Sequence, residues 1–180
     1  MRIVIDATSL LTRSAGVKSY MHYWIRSLQQ HALGNRIELF PYLGNLQGIN
    51  HEESSFGRWK TSWGKLLVNL SNIRGNRMLD VLARGADVFH ASQHLVNPPR
   101  VGTHLTATIY DMTCWLQRET HAAANVEATF RYGDRVLKRA ASCIAISESS
   151  RRDAIEILGL AEDRVKTIYP GVADSFFAVS

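Results

Sequence analysis

Residues Ser142–Val172 read SCIAISESSRRDAIEILGLAEDRVKTIYPGV. The apolar run Ser142–Ser147 is typical of a short buried strand, and the serines that follow can cap a helix whose apolar positions share one face. Gly159 predicts the end of that helix. Val165–Tyr169 predicts a second strand, and the Pro-Gly pair after it breaks the strand. This segment therefore predicts a βαβ unit, in which both strands belong to a parallel sheet.

The alternation of strand and helix extends over nearly the whole chain. Short apolar and β-branched runs predict further strands at Arg2–Asp6, Arg36–Tyr42, Asp87–His90 and Leu105–Tyr110. Apolar residues at helical spacing predict helices at Val17–His31, Trp59–Ala83 and Glu119–Ala141. This order is typical of an α/β fold with a doubly wound parallel sheet and helices on both faces. In such sheets, ligands bind at the carboxyl ends of the strands.

The composition indicates one globular domain. The chain has 180 residues, of which 46% are hydrophobic and 21% charged, and this is enough to bury a full core. The formal net charge of +5 favours anionic partners in general, such as phosphorylated substrates, acidic lipids or nucleic acid. Because the basic residues are spread over the chain and no nucleic-acid-binding module is recognisable, we expect no nucleic-acid partner.

From the sequence we expect neither a targeting segment nor a membrane-spanning one. Its first residues, MRIVID, already form a predicted strand, which argues against a signal or transit peptide. No apolar run approaches the roughly 20 residues that cross a bilayer. We therefore expect a cytoplasmic protein.

The segments that follow the predicted strands hold the candidate site residues. Asp111 comes directly after a buried strand, where a carboxylate can accept hydrogen bonds from a ligand's hydroxyl groups or cap a turn. Ser147 and Glu148 lie at a helix start, where they can cap backbone N–H groups or contact a ligand. The residues alone leave both alternatives open at each of these positions.

Four segments of the chain carry a resemblance to a known family. In order along the chain they are RIVIDATSLLTRSAGVKSY, DVFHAS, TATIYDMT and AISESSRRDAIEILGLAEDRVKTIYPGV. With these motifs in this order, the chain resembles the N-terminal half of a GT-B fold glycosyltransferase of the retaining family 4 type. The resemblance implies a Rossmann-like domain, one of the two domains of a GT-B fold, that binds the acceptor and forms one wall of the active cleft.

The resemblance implies a donor-phosphate contact at Gly16, with Val17 opening the helix that follows. In relatives, the loop after the first strand brings a glycine close to the phosphates of the donor. A glycine lets backbone N–H groups approach an anion, and a helix N-terminus adds a partial positive charge. A single glycine without a GxGxxG context can equally do no more than end a loop.

The resemblance also implies acceptor contacts at the other strand ends, with one departure from the family. Relatives often have a histidine directly before the residue that matches Asp111, whereas this chain has Tyr110. A tyrosine can hydrogen-bond to a sugar but rarely transfers a proton near neutrality, so any sugar-binding role usually given to that histidine is in doubt here. His90 and His94 are expected to contact an acceptor or a second domain.

We expect no metal cofactor. The spacing of His90 and His94 could suggest a metal pair, but no third ligand follows at a suitable spacing and the segment is not helical. Cys114 and Cys143 do not form a CxxC motif. The resemblance agrees, because this transferase fold uses a nucleotide-diphosphate sugar as donor substrate without a metal.

The resemblance places the donor pocket in a C-terminal domain that this chain does not contain. It divides the chain into an acceptor-side domain, residues 1–169, and the start of an interdomain linker, residues 170–180. Glu119 and Glu127 have the seven-residue separation of the family's donor-site pair, but they lie in the wrong half of the protein. We therefore expect this chain alone to bind an acceptor weakly and to transfer no sugar. The alternative is a complete, non-catalytic binding or regulatory domain, or one subunit of a split transferase.

One basic segment suggests a possible contact with a membrane. The stretch from Phe56 to Gly85 places Trp59, Trp63 and Leu66 among lysines and arginines on a predicted helix. Such a helix can lie on a lipid surface, which would suit a lipid-linked acceptor, or it can bury its apolar side on the sheet. A glycan acceptor requires no such contact. The acceptor's identity depends on loops such as Leu43–Gly57 and Ser92–Gly102.

Overall fold

A computed structural model describes residues 1–11, 15–41, 58–100 and 102–171 of the chain. Strands and helices alternate along these residues. In chain order they are β1 (Arg2–Asp6), α1 (Ala15–Gln30), β2 (Arg36–Phe40), α2 (Arg58–Asn72), α3 (Met78–Leu82), β3 (Val88–Ala91), β4 (His104–Ile109), α4 (Thr113–Leu116), α5 (Ala123–Tyr132), β5 (Ser142–Ala145), α6 (Glu148–Leu158) and β6 (Val165–Thr167). The predicted loop at residues 43–57 lies outside the described residues, as do residues 172–180 of the predicted linker at residues 170–180.

The strands form one parallel sheet. Its six described strands have the order β2-β1-β3-β4-β5-β6, and every neighbouring pair is parallel. The register places Ile5 beside His90, and Ile109 beside Ala145. The α/β fold class with a parallel sheet is therefore confirmed. Because all these strands run the same way, the segments that follow β1, β3, β4 and β5 begin at one edge of the sheet, which we call the carboxyl edge.

Helices pack on both faces of the sheet. On one face, α2, α3, α5 and α6 cover a core that contains Phe89, Ala107 and Cys143. On the other face, α1 covers a smaller core around Ile5 and Leu39. Alternate residues of a strand point to opposite faces, and β1 and β2 accordingly supply apolar side chains to both cores. This arrangement is the doubly wound architecture that the sequence predicts.

The βαβ unit at the end of the chain has the predicted form. The Ser147 hydroxyl accepts a hydrogen bond from the backbone N–H of Ser150 (3.1 Å) and caps α6. Gly159 ends the helix with a φ of 66°, a left-handed conformation that glycine adopts without strain. The two strands are shorter than predicted, since β5 ends at Ala145 and β6 ends at Thr167.

The predicted helical region Trp59–Ala83 is helical in the structure, but it is divided into two helices, α2 and α3. Gly75, between them, has a φ of 84°, which lies outside the helical region. The Asn76 side chain then accepts a hydrogen bond from the backbone N–H of Met78 (2.7 Å) and starts α3. The break follows from a glycine and an asparagine whose local effects override the helical spacing of the apolar residues.

The predicted helix at Glu119–Ala141 is also shorter than expected. Arg118–Thr120 forms a separate 3₁₀ turn, and α5 begins only at Ala123. After Tyr132 the backbone continues as one π-helical turn, Gly133–Leu137. A Cβ atom at Gly133 would lie 2.7 Å from Trp115, so the glycine allows this close contact with α4. The wider turn coincides with the place where α5 passes the indole ring.

Candidate functional site

Asp6 joins the ends of β1 and β3 at the carboxyl edge. It is fully buried, and its two carboxylate oxygens accept hydrogen bonds from the backbone N–H groups of Thr8 (3.0 Å) and Ser92 (3.2 Å). The Ser92 hydroxyl donates to the Asp6 carbonyl (2.6 Å). Burial raises the pKa of Asp6, while the charge of His94 and these hydrogen bonds act in the opposite direction. The carboxylate therefore fixes the two loops that follow these strands.

Gly16 lies in the first turn of α1 and is exposed. A Cβ atom there would meet nothing within 4 Å, and the backbone does not adopt a positive φ. The fold itself therefore does not require glycine at this position. Val17, which follows it, packs against the core beneath α1. The open space beside Gly16 is compatible with the predicted contact with donor phosphates, which stays a prediction.

Lys18 is a buried residue that the sequence analysis missed. Its side chain is fully buried, although lysine is rarely found inside proteins. The helical spacing indicates this burial, because Lys18 lies three and seven residues before Met21 and Ile25, which face the core. Lys18 follows Gly16 by two residues, near the start of α1.

His90 is packed inside the protein. Its two ring nitrogens lie 2.9 Å from the hydroxyl oxygens of Thr106 and Thr108 on the neighbouring strand β4, and its ring is 4.7 Å from that of Trp24. Burial lowers the pKa of His90 to about 4, so the imidazole is neutral at physiological pH. An acceptor contact would require one of these hydrogen bonds to break.

His94 lies in the loop after β3 and is half-buried. Its backbone carbonyl accepts a hydrogen bond from the Asn72 side chain (2.9 Å), which ties the loop to α2. Its charge is close enough to Asp6 to lower the pKa of that carboxyl. His94 is therefore near the carboxyl edge, and its contact with an acceptor or a second domain stays a prediction.

Tyr110 has an unusual environment for a tyrosine. Its ring is buried and packs edge-on against Tyr20, with 5.6 Å between the ring centres. Its hydroxyl oxygen has no hydrogen-bond partner among the described residues. Burial raises the pKa of Tyr110 well above its ordinary value, so the phenol keeps its proton at neutral pH. This agrees with the expectation that the residue does not take up and release a proton near neutrality as a histidine would.

We predict that replacing Tyr110 with phenylalanine leaves the free energy of unfolding unchanged or raises it by up to about 1 kcal/mol. A buried hydroxyl without a partner loses its hydration on folding and gains nothing in return, so its removal should not destabilise the fold. Urea denaturation of the two proteins measures this difference. A loss of more than about 1 kcal/mol would show that the hydroxyl is hydrogen-bonded in the folded protein.

Asp111 is exposed and caps a turn. One of its carboxylate oxygens, Oδ1, accepts hydrogen bonds from the backbone N–H of Thr113 (2.9 Å) and from the Thr113 hydroxyl. The capping alternative is thus present in the structure. Both contacts use the same oxygen, and the exposed carboxylate can still accept a hydrogen bond from a ligand at Oδ2.

Ser147, Glu148 and Ser150 surround the start of α6. The Ser150 hydroxyl donates to the Tyr110 carbonyl (2.9 Å), which joins the end of β4 to the start of α6. The Glu148 carboxylate is exposed, and it accepts hydrogen bonds from Thr167 (2.7 Å) and Arg151 (3.2 Å). These two hydrogen bonds lower the pKa of Glu148, with the Thr167 hydroxyl contributing most. Capping and pairing are what the structure shows for these residues.

One small cavity lies at the carboxyl edge. A cavity between the end of β4 and α5, lined in part by Tyr110, Asp111 and Trp115, has a volume of about 10 Å³. This is room for about one water molecule and not for a sugar. Within the described ranges, no three His, Cys, Asp or Glu side chains come together in a way that could hold a metal ion.

The outer face of α2 carries an exposed apolar stripe. Trp59 and Trp63 are 83% and 60% exposed. The stripe continues along the helix and just beyond its end through Leu66, Leu70 and Ile73. The opposite face of α2 packs Leu67 and Val68 into the core. Of the two alternatives for this helix, burial of Trp59 and Trp63 on the sheet is therefore not what the structure shows. No described helix combines the length and the hydropathy needed to cross a membrane.

Comparisons with known proteins found matches among solved structures and none among family models or curated sequences. No protein-family model and no curated protein sequence matches the chain. The crystal structure of HepE from Anabaena in complex with UDP matches with 15% identity and a TM-score of 0.45, over 99% of this chain and 46% of that one. The structure of HepE with UDP and glucose matches with 15% identity and a TM-score of 0.46, over 100% and 47% of the two chains. The chain thus spans about half the length of the structures that it matches.

Proposed function

We propose that this chain is the N-terminal, acceptor-side half of a retaining glycosyltransferase that uses a nucleotide-diphosphate sugar. One observation carries the proposal. The segments that resemble the family 4 glycosyltransferases all contribute to the carboxyl edge of a parallel sheet, where α/β proteins bind their ligands. In this proposal, a C-terminal domain supplies the nucleotide-sugar pocket, and the cleft forms between the two domains. No metal takes part.

The residues at the start of α1 would contact the donor phosphates. Gly16 leaves open space in which a phosphate can approach the backbone. The first N–H groups of a helix carry a partial positive charge that favours an anion there. This arrangement would neutralise the charge that develops on the departing nucleoside diphosphate.

The acceptor would bind along the ends of β3, β4 and β5. Asp111 has an exposed carboxylate that can accept a hydrogen bond from an acceptor hydroxyl, and Glu148 is exposed at the next strand end. The Tyr110 hydroxyl, which has no hydrogen-bond partner in the described part of the chain, could bind the acceptor only if its buried ring moved. His94, Ser147 and the loop that follows β3 complete this edge. His90 would hold β4, and with it the residues that follow this strand, in place through its hydrogen bonds to Thr106 and Thr108.

Substituting Gly16 tests the donor contact. Alanine favours the helical conformation, so Gly16→Ala should leave the free energy of unfolding unchanged or raise it by up to about 1 kcal/mol. The same substitution should reduce sugar transfer by the full-length gene product by about tenfold or more, and Gly16→Val should reduce it further. Transfer is measured with radiolabelled nucleotide-diphosphate sugars. Unchanged transfer in both variants would contradict the proposed phosphate contact.

The length of the native gene product tests the proposed division of the protein. Mass spectrometry of the native protein, together with the coding sequence beyond Ser180, shows whether a second domain follows. A product near twice the 20.2 kDa of this chain supports a two-domain transferase. A native product of 20.2 kDa without a partner chain would contradict it and would favour the non-catalytic binding domain.

We also propose that the exposed stripe on α2 rests on the cytoplasmic surface of a membrane, and that the acceptor is lipid-linked. Tryptophan side chains favour the membrane interface, and basic residues favour anionic lipids. Lys60 and Lys65 are exposed on the same helix as Trp59 and Trp63. A stripe of large apolar side chains on an otherwise polar surface marks an interaction site.

A further inference from the structure

A second concave site lies on the face of the sheet that α2 and α5 cover. It has a volume of about 300 Å³ and is formed by the end of α2, the loop between β3 and β4, and the end of α5. It shares no lining residue with the cavity at the carboxyl edge. Four of its nine lining residues are arginines, namely Arg74, Arg100, Arg135 and Arg139. We call this site the arginine cleft.

The arginine cleft holds more positive than negative side chains, since its nine lining residues include four arginines and one carboxylate. Asp134, the one carboxylate among the lining residues, pairs with Lys138, which lies outside the lining (2.8 Å). Asp80 is nearby, but it pairs with Arg77 (3.1 Å) and accepts a hydrogen bond from the Arg100 backbone (2.7 Å). In the described part of the chain, none of the four cleft arginines forms an ion pair with a carboxylate. Like charges that converge on a concave surface favour an anionic ligand.

The framework of the cleft is held by hydrogen bonds. The Asn97 side chain donates to the carbonyls of Ser71 (3.1 Å) and Ile73 (3.0 Å) at the end of α2. Its oxygen accepts a hydrogen bond from Arg135 (2.9 Å) at the end of α5. One asparagine thus joins all three elements that form the cleft. A ligand would meet a site whose backbone is already in place, which lowers the entropic cost of binding.

We propose that the arginine cleft binds a small anion with two or more phosphate groups. The guanidinium group is planar and forms paired hydrogen bonds with phosphate oxygens, which makes it the preferred side chain for such ligands. The volume is at the lower end of the range for small-molecule sites, which suits a diphosphate better than a complete nucleotide sugar. The diphosphate is either free or the headgroup of a lipid. This inference is independent of the proposed glycosyltransferase activity, because the two sites share no residues.

Titration calorimetry of the 180-residue chain with inorganic pyrophosphate tests the proposal. We expect saturable binding that weakens as salt is raised from about 50 to 200 mM, because the contacts are electrostatic. Arg74 and Arg100 are exposed, so the double variant Arg74→Gln/Arg100→Gln should keep its fold. We expect it to bind pyrophosphate about tenfold more weakly or worse. The variant Arg139→Gln gives a second, independent measurement of the same loss.

The matched control is Arg26→Gln/Arg84→Gln, which removes the same charge from exposed positions outside the cleft. Pyrophosphate affinity within about twofold of the unmodified chain is expected for this control. Vesicles that contain farnesyl diphosphate distinguish the two sources of the ligand. Binding to them that exceeds binding to pyrophosphate and depends on Arg74 and Arg100 indicates a lipid headgroup. The absence of saturable binding, or equal losses in cleft and control variants, would overturn the proposal.

Discussion

Replacing Trp59 and Trp63 with alanine is expected to abolish the binding of this protein to anionic vesicles while leaving its free energy of unfolding nearly unchanged. The two indole rings are 83% and 60% exposed, so their removal takes little from the core. On a lipid surface the same rings would be buried at the interface, and their loss would remove most of the apolar area that holds the helix there. The two effects therefore separate the surface role from a structural one.

Vesicle flotation with and without an anionic lipid measures the binding, and urea denaturation measures the stability. The matched control is Leu116→Ala/Tyr169→Ala, which removes two large side chains, 57% and 67% exposed, that lie outside α2. The control should bind vesicles as the unmodified protein does. Unchanged flotation of the Trp59→Ala/Trp63→Ala variant would contradict the membrane proposal. A large fall in stability would show that the two rings pack within the native protein.

The two faces of α2 explain why the sequence could not decide this point. Apolar residues occur on both sides of the helix, with Leu67 and Val68 facing the core and Trp59 and Trp63 facing outward. A helical period identifies an apolar face only where the other face is polar. Which of two apolar faces meets the sheet depends on the shape of the core beneath, and contacts between distant residues determine that shape.

The parallel sheet itself could be predicted, because each strand carries a local signal. Short apolar runs separated by helical segments occur throughout the chain, and the segment around Ser147 and Gly159 contains both the helix cap and the helix end. The boundaries of α2 and α5 were less predictable. They depend on a single positive φ at Gly75 and on the contact between Gly133 and Trp115, which are effects of one turn and of tertiary packing.

The candidate site could be predicted as an edge of the sheet but not in its detail. The rule that ligands bind at strand ends selects Asp111 and Ser147 from the sequence, and it also selects Asp6, whose role as a buried link was missed. The environment of His90 could not be predicted. Its two hydrogen-bond partners, Thr106 and Thr108, come from a neighbouring strand, and only the strand order brings them beside the imidazole.

His90 should make the stability of the protein depend on pH below neutrality. Burial lowers its pKa from an ordinary value of 6.5 to about 4 in the folded protein. Between these values the unfolded chain binds a proton that the folded chain does not, so the contribution of His90 is fully present above pH 6.5 and is lost as the pH falls toward 4. The expected loss is up to about 3 kcal/mol, a large part of the total stability of a domain of this size.

Urea denaturation between pH 4 and 7, with and without the substitution His90→Gln, isolates this contribution. Glutamine does not titrate, and it can still hydrogen-bond to the two threonines. The raised pKa of Asp6 has the opposite sign, because a buried carboxyl group gains stability as it becomes protonated, but it is present in both proteins and cancels in the difference. The unmodified protein should lose more stability than the variant as the pH falls from 6.5 to 4. Parallel curves, or an imidazole that titrates near 6.5 by NMR, would show that water reaches His90 and that its hydrogen bonds to β4 do not persist in solution.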